Sequence, residues 1–514
     1  DRTAQQRYDE HGRVDRVIDP ENGATYYVYV LPWVLHGHTE AALRAQAGRL
    51  LDAPAAHRDP AAVGRALATG RAPMRHRAVL LGGTGPELRA GLAALAKGDS
   101  APTLVSGAAA DLDGAVFVFP GQGSQWAGMA RGLLDASPAF AASVDACADA
   151  LAPHVDWSLH QVLREEPGAP SLDRVDVVQP ALFAVLVSLA EVWRAHGVTP
   201  AAVIGHSQGE IAAARVAGAL SLPDAARVVA LRSRALTRLA GGGGMVSVAL
   251  PRDEAHELLT RWGDALSLAV VNGPGSVVVA GVPGALDELL AECERRDVRA
   301  RRVPVDYASH SPAVAAIRDE LLADLAGVTP RPARVPIHST VSGQLLAGPE
   351  LDAAYWYRNL RHTVDFEGAT RRALAAGHRV FVEVSPHPVL TMAVEETLAD
   401  ADATGTLVLG TLRRGEGGPD RMLRSLAEGF VRGLPVDFSP ALAGGSDERV
   451  ALPTYAFQRR RYWPEPEAET VSLVPAPGDA GRDAAFWRAV EAGDVPALGG
   501  LLAAAAGEPA PAPA

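Results

Sequence analysis

Gly205-His206-Ser207-Gln208-Gly209 sets a serine between two glycines, after the apolar run PAAVIG and before the alanine-rich IAAARVAGAL. A serine on a sharp strand-to-helix turn stands at the top of a sheet, with backbone amides of the following helix aimed at whatever it attacks. The same spacing occurs in esterases, lipases, thioesterases, transferases and ordinary turns, so the motif leaves the reaction open. A serine hydroxyl needs a base, and histidine is the usual one at neutral pH. Of 15 histidines, His310 in DYASHSP stands out because it follows a short strand at the junction where the chain returns from an inserted unit. His206 adjoins the serine but is expected to point away from it on the turn.

A third signal is an arginine. In the helical stretch LPDAARVVALRSRAL, Ala225, Val228, Val229, Ala235 and Leu236 define one apolar face, and Arg232 falls on it while Arg227 and Arg234 do not. A buried guanidinium is costly unless paired. Two readings follow: a salt bridge to an internal carboxylate, or a clamp for a carboxylate that arrives with a substrate. The glycine-rich FPGQGSQ lacks the Gly-Lys-Ser/Thr ending of a phosphate loop and has the wrong spacing for a dinucleotide site. It reads as a tight turn whose amides face the nucleophile.

The elements that must position these residues follow the grammar of an α/β protein. AVFVFPGQGSQ and AAVIGHSQGEIAAARV each read strand, turn, helix, and sites in such sheets gather at the carboxyl ends of strands. Residues 245–305 break the pattern with the order β-α-β-β-α-β, a ferredoxin-like arrangement that looks inserted, with GGGG at 241–244 as the hinge. Before the large unit, residues 31–113 read as a smaller α/β unit, with Thr39 a candidate cap of its first helix. Residues 1–30 are unassigned, 415–464 pack back onto earlier units, and 465–514 read as a linker followed by one isolated helix.

The bulk numbers narrow the partners. A chain of 514 residues, 48% hydrophobic and 21% charged, has a soluble globular composition and room for two to four structural units. No apolar run is expected to cross a bilayer and no signal-peptide pattern opens the chain, which predicts a cytoplasmic protein without membrane contact. The net charge of −12 speaks against nucleic-acid binding. Cys147 and Cys293 lack metal-ligand spacing, and no metal site is expected. The first residue, Asp1, and the tail AAAAGEPAPAPA suggest a segment of something longer.

Taken in order, FPGQGSQWAGM, GHSQGE, RSR, VNGPGSVVVAG, YASHSP, YWYRNLR and LPTYAFQRRRYW resemble the acyltransferase domains of modular type I polyketide synthases. The resemblance covers residues 31–464. It implies an α/β-hydrolase-like large subdomain (114–414) with a ferredoxin-like insert (245–305), flanked by a ketosynthase-acyltransferase linker (31–113) and a post-acyltransferase linker (415–464). The end of the chain is similar to the start of a reductase-type region. Carried over position by position, it makes Ser207 the nucleophile, His310 its general base, and Arg232 the clamp for a malonyl-type carboxylate. The backbone amides of Gln122 and Gln208 become the oxyanion hole, and the backbone carbonyl of Asn359 orients the imidazole. The family's Gln-Pro after this stretch is replaced here by His362 and Thr363.

The reaction so implied moves an acyl group from acyl-CoA through an acyl-serine to the phosphopantetheine thiol of an acyl carrier protein, with no cofactor resident in this segment. A neighbouring ketosynthase in the parent chain is the further partner implied. Ser309 stands where malonyl-selective relatives carry phenylalanine. With Tyr307 and Gln179 it predicts methylmalonyl-CoA as donor, with ethylmalonyl or malonyl selectivity as alternatives. A serine thioesterase or esterase is the rival outside transferases. ERRDVRARRV (294–303) and FQRRRYW (457–463) are candidate surfaces for anionic partners.

Overall fold

The computed structural model describes residues 5–8, 14–18, 25–27, 30–112, 114–443, 449–459 and 480–506. They fall into two compact units, residues 1–457 and 458–514.

The first unit is organised around a six-stranded sheet in the order Leu345–Leu346, Ile337–His338, Pro200–Gly205, Ala115–Phe119, Val380–Glu383, Leu407–Gly410. All neighbours are parallel except the short edge pair Ile337–Leu346 and His338–Leu345. A parallel sheet is covered on both faces, which is why its central strand AVFVF is apolar and buried at every position. From the central strand the chain goes first to one side and later to the other. That reversal opens a crevice at the carboxyl ends, where the turns after Phe119 and Gly205 meet.

The helix Val175–Ala195 lies in this core. By length and composition it could cross a membrane, contrary to the expectation of no such run, yet 83% of its apolar window is buried inside the protein. Its residues are apolar nearly all round because other elements surround it, the pattern of a fully buried helix.

The insert is ferredoxin-like, as the fold class requires. Gly244–Val248, Arg252–Leu259, Leu266–Gly273, Ser276–Gly281, Pro283–Arg295 and Ala300–Val303 follow in β-α-β-β-α-β order. The strand order Ala300–Val303, Gly244–Val248, Ser276–Gly281, Leu266–Gly273 is antiparallel throughout. A fifth strand, Val364–Asp365, comes from outside the insert and pairs in parallel with Val270 and Val271. The insert leaves and rejoins the large unit at adjacent points, where the Gly241 N–H donates to the Asp306 carbonyl at 2.8 Å.

Residues 31–108 form a separate three-stranded antiparallel sheet, Leu31–Gly37, His76–Gly82 and Leu104–Ala108, backed by helices. Thr39 caps the first helix by accepting from the Ala42 N–H. Helix Pro419–Arg432 ties this sheet to the large one: the Arg77 guanidinium donates to Phe430 O at 2.9 Å, and Ser425 Oγ donates to Thr411 O at 2.7 Å. Residues 449–457 then run back over the small sheet. There Ala456 N–H donates to Gln46 Oε1 and Tyr455 Oη accepts from the His38 N–H, both at 2.9 Å.

Two terminal readings change. The unassigned first thirty residues contain three antiparallel strands, Gln5–Tyr8, Val14–Ile18 and Thr25–Tyr27. In the second unit the single expected helix is two, Ala480–Ala492 and Val495–Ala506, broken where Gly493 takes φ 64° and Asp494 accepts from the Ala497 N–H. A left-handed glycine ends a helix because no Cβ opposes that conformation.

Candidate active site

Ser207 sits at the carboxyl end of Pro200–Gly205, on the turn into helix Gly209–Val216, with φ 54°. A non-glycine residue at positive φ is strained and persists only where its surroundings over-determine it. The surroundings here are backbone. A Cβ on Gly209 would overlap the carbonyl oxygens of Phe119 and Pro120, and one on Gly205 would overlap the Glu210 backbone. The two glycines of the motif thus let the turn press against the neighbouring strand, which the His206 N–H ties down at Phe119 O, 2.8 Å away.

His310 is the partner of Ser207. Its Nε2 lies 2.8 Å from Ser207 Oγ, and its Nδ1 lies 2.9 Å from the His362 carbonyl. The carbonyl requires an N–H donor at Nδ1, which leaves Nε2 as the acceptor for the serine proton. His310 also adopts positive φ, 56°, and its backbone N–H is fixed to Leu360 O at 2.9 Å. Burial, reinforced by the Arg232 charge, lowers its pKa to about 3. The imidazole is therefore neutral, the form a general base needs.

The orienting carbonyl is a correction to the sequence reading. The short hydrogen bond goes to His362, and the Asn359 carbonyl is the smaller influence on the ring. Nothing in the residue type at 362 signals this, because any residue offers a carbonyl. Asn359 acts through its side chain: Oδ1 accepts from Arg232 Nη2 at 3.3 Å, while Nδ2 donates to Glu210 at 2.7 Å and to Ser207 O at 3.2 Å.

Arg232, 1% exposed, makes no ion pair among the described residues. Its Nη1 donates to Gln179 Oε1 at 3.0 Å, and its Nε has no partner. The salt-bridge reading is thus not what is found. Two neutral amides hold the guanidinium, and burial lowers its pKa to about 10. An amide-held guanidinium keeps most of its charge uncompensated, a standing preference for an incoming carboxylate.

Glu210, three residues after the serine, is not among the candidates the sequence offers. It is fully buried and accepts from Tyr355 Oη at 2.9 Å, from Asn359 and from the Thr340 N–H at 3.3 Å. Burial outweighs these bonds and pushes its carboxyl up to about 7. The signal available was a charged residue inside a helix otherwise destined for the core.

The remaining candidates gather around the same crevice. Tyr307 Oη donates to Gln122 Oε1 at 3.0 Å, and burial raises its phenol to about 12. Ser309 Oγ turns toward Met245 Sδ at 3.6 Å. Among the described residues no intramolecular hydrogen bond occupies the backbone N–H of Gln122 or Gln208. Gln208 is buried, and neither side-chain polar atom has a partner. His206 points away from the serine, as expected, with Nε2 3.0 Å from Asn272 Oδ1 and its ring against Phe366.

The basic stretch 294–303 is less available than its sequence suggests. Arg295 and Arg296 both engage Glu292, and Arg302 engages Asp287. Of the second stretch, residues 460–463 lie outside the described residues.

The acyl transferase domain family matches residues 116–436. The spectinabilin polyketide synthase system protein NorA' of Streptomyces orinoci is 56% identical over 90% of the chain, and polyketide synthase GfsA of Streptomyces halstedii is 54% identical over 92%. The chain spans only 13% and 6% of those two proteins. The acyltransferase domain from module 8 of the salinomycin polyketide synthase superposes with a TM-score of 0.76 at 56% identity, covering 80% of this chain and 98% of that one. A loading acyltransferase from the avermectin synthase is 55% identical with a TM-score of 0.59, covering 61% of this chain and 99% of that one. A parallel sheet carrying the Ser207 turn, a ferredoxin-like insert and this agreement over nearly a whole solved domain lead to one assignment: the chain belongs to the acyl transferase domain family, in the form carried by modular polyketide synthases.

Proposed function

We propose that the domain loads an extender unit, methylmalonyl first among the candidates, from CoA through Ser207 onto the phosphopantetheine thiol of an acyl carrier protein. The observation that carries this reading is the Ser207–His310 pair beside an arginine held by amides alone. Ser207 Oγ gives its proton to His310 Nε2 and attacks the thioester carbonyl, and the oxyanion turns to the amides of Gln122 and Gln208. Collapse of the adduct expels the CoA thiolate, which takes the proton from His310. The carrier thiol then repeats the sequence in reverse, losing its proton to His310 and releasing the serine.

Arg232 receives the free carboxylate of the donor, with Gln179 and Asn359 fixing the plane of the guanidinium. Ser309 leaves room for an α-methyl branch that a phenylalanine would fill. One methyl group is worth about 1–3 kcal/mol, so the preference is strong without being absolute. Gln179 enters selectivity through Arg232, whose position it sets.

The test is intact mass after brief incubation with equimolar malonyl-CoA and methylmalonyl-CoA, beside Ser207→Ala. A methylmalonyl adduct in excess on the wild type, and none on the variant, is expected. Equal labelling overturns the pocket argument. Steady release of CoA with no adduct overturns acyl transfer in favour of hydrolysis.

A further inference from the structure

Glu210 stands in the first turn of the helix that follows Ser207 and is 0% exposed. Its Oε1 accepts from Tyr355 Oη at 2.9 Å and from the Thr340 N–H at 3.3 Å, and its Oε2 accepts from Asn359 Nδ2 at 2.7 Å. None of these partners is a cation. A buried carboxyl without one is costly, and an apolar side chain would suit the same place in the core better.

The bond to Asn359 gives the carboxyl a use. Asn359 Nδ2 faces two acceptors, Glu210 Oε2 and the Ser207 carbonyl 3.2 Å away, which leaves its amide oxygen for Arg232 Nη2 at 3.3 Å. Turned over, the amide would set its NH2 against the guanidinium, donor facing donor, and its oxygen against two acceptors. Of the two bonds that prevent this, the one to Glu210 is the shorter. A proton on the carboxyl is accommodated at Oε1, where Tyr355 Oη and, 2.8 Å beyond it, Ser339 Oγ can reverse their hydroxyls. Oε2 therefore accepts from Asn359 in either state.

Resting on the acyl-transfer reading, we propose that Glu210 is a positioning residue for donor recognition: by accepting from Asn359 it fixes the sense of that amide, and through the amide oxygen it holds Arg232 where the free carboxylate of the donor arrives. What Glu210 supplies is an acceptor at one place and not a charge, since Arg232 lies one amide away. The competing role is a staple that joins helix Gly209–Val216 to helix Ala353–Arg361. A staple would act on the Ser207 turn and on the chemical step, whereas positioning of Arg232 acts on donor binding.

Two conservative variants separate these roles. Glu210→Gln keeps an acceptor within reach of Asn359 and removes the charge, whereas Glu210→Asp keeps the charge and withdraws the acceptor by one methylene. Ser207 acylation is followed by intact mass against methylmalonyl-CoA concentration in the wild type, both variants, Asn359→Ala and the Glu210→Asp, Asn359→Ala double variant. For Glu210→Asp, KM is expected to rise about tenfold with a smaller change in kcat. Glu210→Gln is expected to stay within about threefold of the wild type, and the double variant to match Asn359→Ala alone. An unchanged KM in Glu210→Asp, an equal rise in both conservative variants, or effects of Glu210→Asp and Asn359→Ala that multiply each overturns the positioning role and leaves acyl transfer standing. Asn359→Ala, which leaves the carboxyl in place, is expected to raise KM at least as much as Glu210→Asp; a KM near the wild-type value overturns the relay whatever the variants at 210 do. A wild type that takes no methylmalonyl group overturns acyl transfer and the positioning role together.

Discussion

At the scale of single residues, the site rests on two buried groups whose protonation burial pushes in opposite senses. His310 is held neutral, with its pKa lowered to about 3, and Glu210 is raised to about 7. The depressed histidine contributes stability that is complete above its free value near 6.5 and is lost as pH falls toward 3. The raised carboxyl works the other way: its contribution is complete below about 4.5 and lost as pH rises through 7. Nitrogen-15 spectra of the ring are therefore expected to show His310 as the neutral Nδ1–H tautomer at pH 5, and a titration midpoint near 6.5 would contradict it. Ser207, His310 and Arg232 were legible because their types are rare in their settings: a serine between glycines, a histidine at a junction, an arginine on an apolar face. The His362 carbonyl was not, since backbone geometry leaves no mark on side-chain identity. Asn359 was placed correctly beside the site, but by its backbone, whereas its amide joins Arg232, Glu210 and Ser207.

At the scale of elements, the turn after Pro200–Gly205 decides whether Ser207 meets His310 at all. Gly209 faces backbone oxygens that cannot swing aside, so Gly209→Ala is expected to cost about 1–3 kcal/mol and to displace Ser207 from His310. Thermal unfolding and acylation of the same preparation check it; full activity with an unchanged Tm would contradict it. The strand-turn-helix units and the β-α-β-β-α-β order were legible from apolar runs ending at glycine turns. Less so was the strand Val364–Asp365, whose two residues are too few for a periodicity. It becomes a strand only because Val270 and Val271 offer an open edge. Thr363, where the family pattern differs, donates to Leu268 O at 2.7 Å and so helps hold that edge. The helix Val175–Ala195 departs from expectation for the converse reason, since a helix enclosed by protein and one enclosed by lipid carry the same apolar surface.

At the scale of the molecule, residues 449–457 close the small sheet from outside. Val450 and Leu452 pack on its core, and Gln46 and His38 hold Ala456 and Tyr455. Deleting residues 450–457 is expected to open residues 31–108 to limited proteolysis while Ser207 acylation persists; protection equal to the full chain would contradict this. The sequence indicated the wrapping through its aromatic ending but offered no register for it, because such contacts span hundreds of residues. The junction of the insert has a different consequence. Gly241 and Asp306 lie side by side, Ser207 precedes them in the chain and His310 follows. The ferredoxin-like unit is therefore laid out as a cassette whose cut points already touch. Such a graft would bring a new wall over the crevice while Ser207, His310 and the His362 carbonyl stay with the host.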